Sequence, residues 1–207
     1  MRSLVHSDWL RPLLLFLKEA LRHPWSAGAF FPSSRHLADA MARPVPLNGT
    51  GPVVELGAGT GAVTQALLER GVRPDRLLVV ERSPALVAHL SARFPELRII
   101  QGDARNLGLF LAQEGRVDAI VSSVPLRSLP YAESRSIVEH WRTVLPTGTL
   151  IVQFTYALYG PPRHLSDDFV QLSSEVTWRN LPPARILTLK YRRPDSVPAR
   201  MAAGSPP

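Results

Sequence analysis

The chain has 207 residues, 45% of them hydrophobic, and a formal net charge of +7. That length is enough for one domain with a substantial core, and the absence of cysteine excludes a disulfide framework, a thiolate metal site and a cysteine nucleophile. The positive charge points to an anionic partner, either nucleic acid or anionic lipid, although an arginine-rich composition with only Lys18 and Lys190 as lysines also follows from a genome's base composition.

In chain order, residues 1–22 place Leu10, Leu13, Leu14, Leu17 and Leu21 at helical spacing. Arg11, Lys18 and Arg22 share another side, and Trp9 and Phe16 suit a boundary between water and hydrocarbon. The pattern predicts an amphipathic helix, packed on its own domain or lying in a membrane surface. The apolar run 12–17 is too short to span a bilayer, and no small-residue cleavage site follows it, so no secretory leader is expected. A short helix over 36–41 comes next.

From residue 52 onward, strand and helix alternate. Strands are expected over 52–56, 76–81, 97–101, 117–122 and 149–154, with helices over 62–70, 84–93, 104–113 and 131–145. Ser83 and Pro84 give the second of these helices an N-cap and a first-turn proline, and Pro146-Thr147-Gly148 stops the last one. Strands over 170–178 and 184–190 are close enough to pair as a hairpin. The expected fold is an α/β, mostly parallel seven-stranded sheet with an antiparallel C-terminal hairpin and an N-terminal helical extension. The domain boundaries expected are 1–45 for the extension, 46–192 for the sheet domain and 193–207 for a tail, which over 196–207 has a disordered composition.

The most informative stretch is Glu55-Leu56-Gly57-Ala58-Gly59-Thr60-Gly61, where a strand ends in a glycine turn that feeds a helix. Such a turn lets a ligand approach the backbone closely. Gly57, Gly59 and Ala62 also satisfy the spacing of a dinucleotide site, and Glu81 lies where a ribose carboxylate is expected. Glu55 argues against a pyrophosphate, which has no use for a negative charge there, and for the cationic S-adenosylmethionine (SAM). Asp103, after the third strand, can accept from the exocyclic amine of adenine. Glu55, Glu81, Asp103 and Ser122 all fall at carboxyl ends of strands, where open α/β sheets bind nucleotides.

With these residues the chain resembles the class I SAM-dependent methyltransferases over roughly 30–190. The resemblance implies a Rossmann-like fold, SAM as cofactor and S-adenosylhomocysteine as product. It implies that Gly57, Ala58, Gly59 and Gly61 contact the methionine part, that Glu81 and its neighbour Arg82 lie at the ribose, and that Asp103 and Ala104 contact adenine. Ser122-Ser123-Val124-Pro125-Leu126 stands at the family's substrate-facing fourth motif. Adenine N6 methyltransferases carry an amide or acid and an aromatic there. Both are missing here, and the RNA enzymes' helical domain is not expected after the last strand.

Ala29-Phe30-Phe31-Pro32-Ser33-Ser34-Arg35, the relaxed fourth motif and Gln153-Phe154-Thr155-Tyr156 are similar to bacterial phospholipid N-methyltransferases, which convert phosphatidylethanolamine stepwise to phosphatidylcholine. This implies a phospholipid acceptor, a cytoplasmic enzyme peripherally attached to the inner face of the bacterial membrane through its N-terminal helix, and no nucleic acid partner. Tyr156 and Tyr159, with Phe30 and Phe31, are candidates to line a pocket for the methylated ammonium. His164 or a tyrosine hydroxyl is a candidate proton relay. Arg35, Arg127 and Arg163 are candidates for the lipid phosphate, and Ser33 and Ser34 for the cofactor carboxylate or the head group. No histidine–carboxylate spacing suggests a metal. The alternatives are an RNA or DNA adenine methyltransferase such as an rRNA N6-type enzyme, a small-molecule methyltransferase with a helical lid, and a non-catalytic SAM- or lipid-binding protein.

Overall fold

Runs of β-branched and aliphatic residues form the strands, and alternation sorts their side chains to the two sheet faces. The computed structural model describes residues 34–112, 114, 116–160, 164–165 and 168–193. The helix expected over 1–22 and residues 194–207 of the tail lie outside them. The strands are β1 Val53–Leu56, β2 Leu77–Glu81, β3 Arg98–Gln101, β4 Ala119–Ser122, β5 Leu150–Thr155, β6 Phe169–Thr177 and β7 Ala184–Tyr191. The helices are α1 Arg35–Ala42, α2 Ala62–Arg70, α3 Pro84–Arg93, α4 Leu107–Leu111 and α5 Tyr131–Val144.

All seven strands join one sheet in the order β3-β2-β1-β4-β5-β7-β6. The first five in that order run parallel, while β7 is antiparallel to both β5 and β6. This is the Rossmann-like arrangement expected from the sequence. Strand order reverses between β1 and β4, so a crevice opens above their carboxyl ends.

Each face of the sheet carries its own apolar layer. Val53, Val79, Val121 and Val152 pack with Leu37 and Met41 of α1 and Val63 and Leu67 of α2. Val54, Val80, Ile120 and Leu187 pack on the other face with Ile137 and Trp141 of α5. Each fully buried aliphatic side chain contributes about 1.5–3 kcal/mol, which fixes the strand register and hence the height of the strand tips. Below the sheet, Arg76 donates to the carbonyls of Gly51 and Leu47 and pairs with Asp118 at 3.0 Å. Both side chains are buried there, far from the strand tips that hold the crevice.

One expected helix is split. Asp103 caps a 3₁₀ turn, Ala104–Asn106, before α4 begins at Leu107. The backbone N–H of Gly108 then donates to His140 Nε2 at 2.9 Å. A partner on α5 therefore takes a donor at the start of α4, a tertiary constraint that local periodicity does not record. The edge strand β6 is largely exposed and carries a register shift between Gln171 and Ser173. Polar residues and an irregularity at an edge discourage pairing with a second sheet.

Candidate active site

The glycine turn joins β1 to α2, and its three glycines all adopt positive φ. Their roles differ. A Cβ at Gly61 lies 2.6 Å from Phe94 and 2.8 Å from Leu90, so this glycine lets α3 pack against the turn. A Cβ at Gly59 meets nothing within 4 Å, so open space lies in front of the loop. The turn also has a fixed height, because Gly57 N–H donates to the carbonyl of Val80 at 2.8 Å.

Glu81, at the tip of β2, joins the turn to α3. Its Oε2 accepts from Gly59 N–H at 2.9 Å and its Oε1 from Ser83 N–H at 2.8 Å. Each carboxylate oxygen keeps a further lone pair, so the group has acceptor capacity for two hydroxyls. Ser83 in turn caps α3 by accepting from Leu86 N–H. Gly59, Glu81 and Ser83 therefore hold one another, and a ligand finds a preformed acceptor.

Glu55 is fully buried, and its Oε2 accepts from Thr64 Oγ1 at 2.7 Å. Its Oε1 is buried without a partner among the described residues. Burial pushes this carboxyl up to about 8, against the hydrogen bond from Thr64, with a smaller push from the charge of Glu81. A buried carboxyl with an unused oxygen suits a hydrogen-bonding group, and a cation arriving beside it favours release of its proton. Ala58 in the glycine turn and Ser122 at the end of β4 are also buried, and Ser122 Oγ accepts from Val124 N–H at 3.3 Å.

Asp103 lies at the tip of β3. It accepts from Arg105 N–H at 2.9 Å and pairs with the Arg105 guanidinium at 2.7 Å. Burial opposes its charge, but the bonds from Arg105 outweigh that and hold the carboxyl below the usual carboxylate range. Ala104 begins the turn that Asp103 caps. Arg82 sits beside Glu81 and lies 4.0 Å from Glu133.

The remaining sequence-selected residues do not all converge. Ser34 is the N-cap of α1, where it accepts from Leu37 N–H, and its own N–H donates to Asn180 Oδ1 at 3.1 Å. Tyr156 is partly buried, meets Phe154 edge-on at 5.4 Å and is hydrogen-bonded to Asn180. Burial raises its phenol pKa, so the ring carries a neutral hydroxyl. The buried Asn180 thus ties the start of α1, the end of β5 and the β6–β7 turn together, a role its sequence context, which reads only as turn, conceals. Tyr159 is 83% exposed. His164 places Nε2 3.2 Å from Ser134 Oγ and its ring 4.6 Å from that of Tyr131, both on the first turn of α5. Arg35 reaches Glu69 in the last turn of α2, at the far end of that helix from the glycine turn. Phe30, Phe31, Ser33 and Arg163 lie outside the described residues.

A second feature adjoins the crevice. A small open cleft is lined by Leu126 and Arg127 after β4, by Gln153 and Thr155 of β5, and by Arg185 and Leu187 of β7. Arg127 was expected at the acceptor; Gln153 belonged to the segment 153–156 that carries the resemblance but was given no role, and Arg185 carries no signal in the sequence beyond its strand. Among the described residues no group of three or more histidine or acidic side chains is placed to hold a metal ion. No described helix is long and apolar enough to cross a membrane.

Residues 53–148 match the family described as methyltransferase domain. The chain is 34% identical over 182 residues to the ornithine lipid N-methyltransferase of Singulisphaera acidiphila, covering 84% of this chain and 94% of that protein. It is also 31% identical over 107 residues to ribosomal RNA small subunit methyltransferase A of Chlorobium chlorochromatii, covering 51% of this chain and 39% of that enzyme. The fold is similar to that of the N-methyltransferase NodS from Bradyrhizobium japonicum, solved with S-adenosyl-L-homocysteine. The TM-score is 0.63 at 14% identity, over 86% of this chain and 98% of NodS. A strand-tip carboxylate trapped by the glycine loop, open space before Gly59 and an unused buried oxygen on Glu55 fit SAM, and with a relative matched over nearly its whole length they assign this chain to the class I SAM-dependent methyltransferases.

Proposed function

We propose that the chain N-methylates the amine of a lipid head group, phosphatidylethanolamine and its mono- and dimethyl forms, toward phosphatidylcholine. The observation that carries this reading is the cleft beside the crevice, whose apolar walls Leu126 and Leu187 are accompanied by the guanidinium groups of Arg127 and Arg185. Greasy walls with cationic groups suit a phosphate on an acyl chain better than a nucleobase. The near full-length likeness to a lipid N-methyltransferase supports a lipid amine in general.

SAM, when bound, supplies a methyl group made electrophilic by its sulfonium. Glu81 offers its acceptors to the ribose hydroxyls, Glu55 to the methionine ammonium and Asp103 to adenine. Gly57, Ala58 and Gly59 let that ligand approach the backbone. The acceptor amine must be neutral when it attacks, so its ammonium first gives up a proton, with His164 as the candidate relay. The neutral ring of Tyr156, joined by Tyr159, then faces a product that stays cationic, a contact worth about 0.5–2 kcal/mol. We place the enzyme on the inner face of the bacterial cytoplasmic membrane. Arg11, Lys18 and Arg22 of the expected N-terminal helix support this, as do exposed Tyr159, Trp178 and Leu181 at the strand-tip end of the sheet.

The test is transfer of labelled methyl from SAM, offered in parallel to vesicles containing phosphatidylethanolamine and to structured RNA. Label in the extracted lipid is expected; label confined to RNA overturns the proposal.

A further inference from the structure

Gln153 lines the cleft and has an unfilled hydrogen bond. Its side chain is 2% exposed, and its Nε2 donates to the carbonyls of Val124 and Phe154, both at 2.8 Å. Backbone carbonyls only accept, so these two bonds fix which end of the amide is nitrogen. Oε1 is thereby left buried with no partner among the described residues. A buried carbonyl oxygen on a residue that lines a cleft calls for a donor.

Arg185 stands on the same face. Strand pairing sets Gln153 against Leu187 and Thr155 against Arg185. The two side chains are therefore diagonal neighbours on one face, with Cα atoms roughly 7–8 Å apart. Arg185 Nε donates to Ser174 Oγ and Nη1 to the carbonyl of Gly160, both at 2.7 Å. These partners are neutral. They hold the guanidinium in place without cancelling its charge.

We infer that the cleft is a subsite for a zwitterionic head group. Gln153 Oε1 accepts from an N–H of the incoming ammonium, before that group gives up its proton, and Arg185 pairs with the anion carried a few bonds away. The inference rests on the lipid-amine reading above and names the groups that would recognise it. A neutral amide suits the task better than a carboxylate, which stabilises ammonium and keeps the nucleophilic lone pair protonated. It also discriminates by methylation state. Primary, secondary and tertiary ammonium groups each keep an N–H for Oε1, whereas a quaternary one keeps none. The last product thus leaves Oε1 unpaired, which favours release. An aminoalkyl phosphate and a lipid-linked amino acid share the required amine and anion.

The test is calorimetric binding, without SAM, of micellar short-chain phosphatidylethanolamine, its N,N-dimethyl form and phosphatidylcholine, with ornithine lipid as a separate arm. The wild-type protein is expected to bind the two N–H-bearing phospholipids about tenfold more tightly than phosphatidylcholine, as for one buried hydrogen bond. Gln153→Leu removes that preference, and Arg185→Gln weakens all three phospholipids alike. Tighter binding of phosphatidylethanolamine identifies phosphate as the anion, and tighter binding of ornithine lipid identifies carboxylate; either supports the subsite. If the wild-type protein binds phosphatidylcholine as tightly as phosphatidylethanolamine, the inference fails, whether or not Gln153→Leu folds. It also fails if Gln153→Leu melts like wild type and keeps the preference. Methyl transfer to lipid alongside such a failure leaves the proposed function standing and removes only the subsite.

Discussion

Two carboxylates on neighbouring strands do different work. Glu81 is held in a fixed pose by Gly59 and Ser83 N–H groups and offers its remaining lone pairs outward. Glu81→Ala should weaken binding of S-adenosylhomocysteine ten- to a hundredfold, about 1.5–3 kcal/mol for a charged acceptor. Titration calorimetry checks this, and an affinity within twofold of wild type refutes the ribose assignment. Glu55, by contrast, is buried and pushed up to about 8. Its folded-state pKa is above the unfolded value, so the folded protein holds a proton that the unfolded chain has released. The associated stability is complete below about 4.5 and is lost as pH rises through about 8. Denaturant melts from pH 5 to 8.5 should show wild type losing on the order of 3–5 kcal/mol relative to Glu55→Gln, at about 1.4 kcal/mol per pKa unit. A constant difference between the two proteins contradicts the buried, protonated state.

At the scale of elements, the glycine turn joins stability to ligand access. Gly61→Ala drives a Cβ into Phe94 and Leu90 at a positive φ, and should cost about 2–4 kcal/mol of stability. Gly59→Ala has open space and carries only the backbone strain, about 1–2 kcal/mol, yet it fills the floor in front of the loop. Thermal melts and S-adenosylhomocysteine titrations of the pair should separate: the Gly61 variant loses stability most, the Gly59 variant affinity most. The reverse pattern contradicts the division of roles. This turn was legible in the sequence because glycine spacing is a local signal, and so were the central strands β1, β2 and β4, whose apolar runs are buried on both faces. The break before Leu107 was not legible, because it depends on His140 from a helix about thirty residues later. Gln153 read as the end of a strand and as part of a segment that carries the family resemblance, with no role of its own. Its unfilled Oε1 exists because Val124, on another strand's exit, takes one of its donors, and no spacing in the sequence records that encounter. Asn180 was hidden likewise: a turn asparagine gives no hint that Ser34 and Tyr156 both depend on it.

At the scale of the whole molecule, the parallel strands deliver Glu55, Glu81, Asp103 and Ser122 to one end of the sheet, and the β6–β7 turn adds Trp178 and Leu181 there. The buried Arg76–Asp118 pair anchors the opposite end. The candidate cofactor carboxylates and the exposed Trp178 thus share one end of the sheet, the end that the proposed function turns toward a bilayer. Removing residues 1–22 should reduce sedimentation with anionic vesicles severalfold and leave S-adenosylhomocysteine affinity unchanged; undiminished sedimentation contradicts an N-terminal anchor. The most direct measurement of the central claim is mass spectrometry of the lipids of a bacterial host that makes phosphatidylethanolamine but no phosphatidylcholine, with and without this chain. Methylated phosphatidylethanolamine species should appear with the wild-type chain and be absent with Glu81→Ala. An unchanged phospholipid profile, from cells in which the folded protein accumulates and binds S-adenosylhomocysteine, contradicts it.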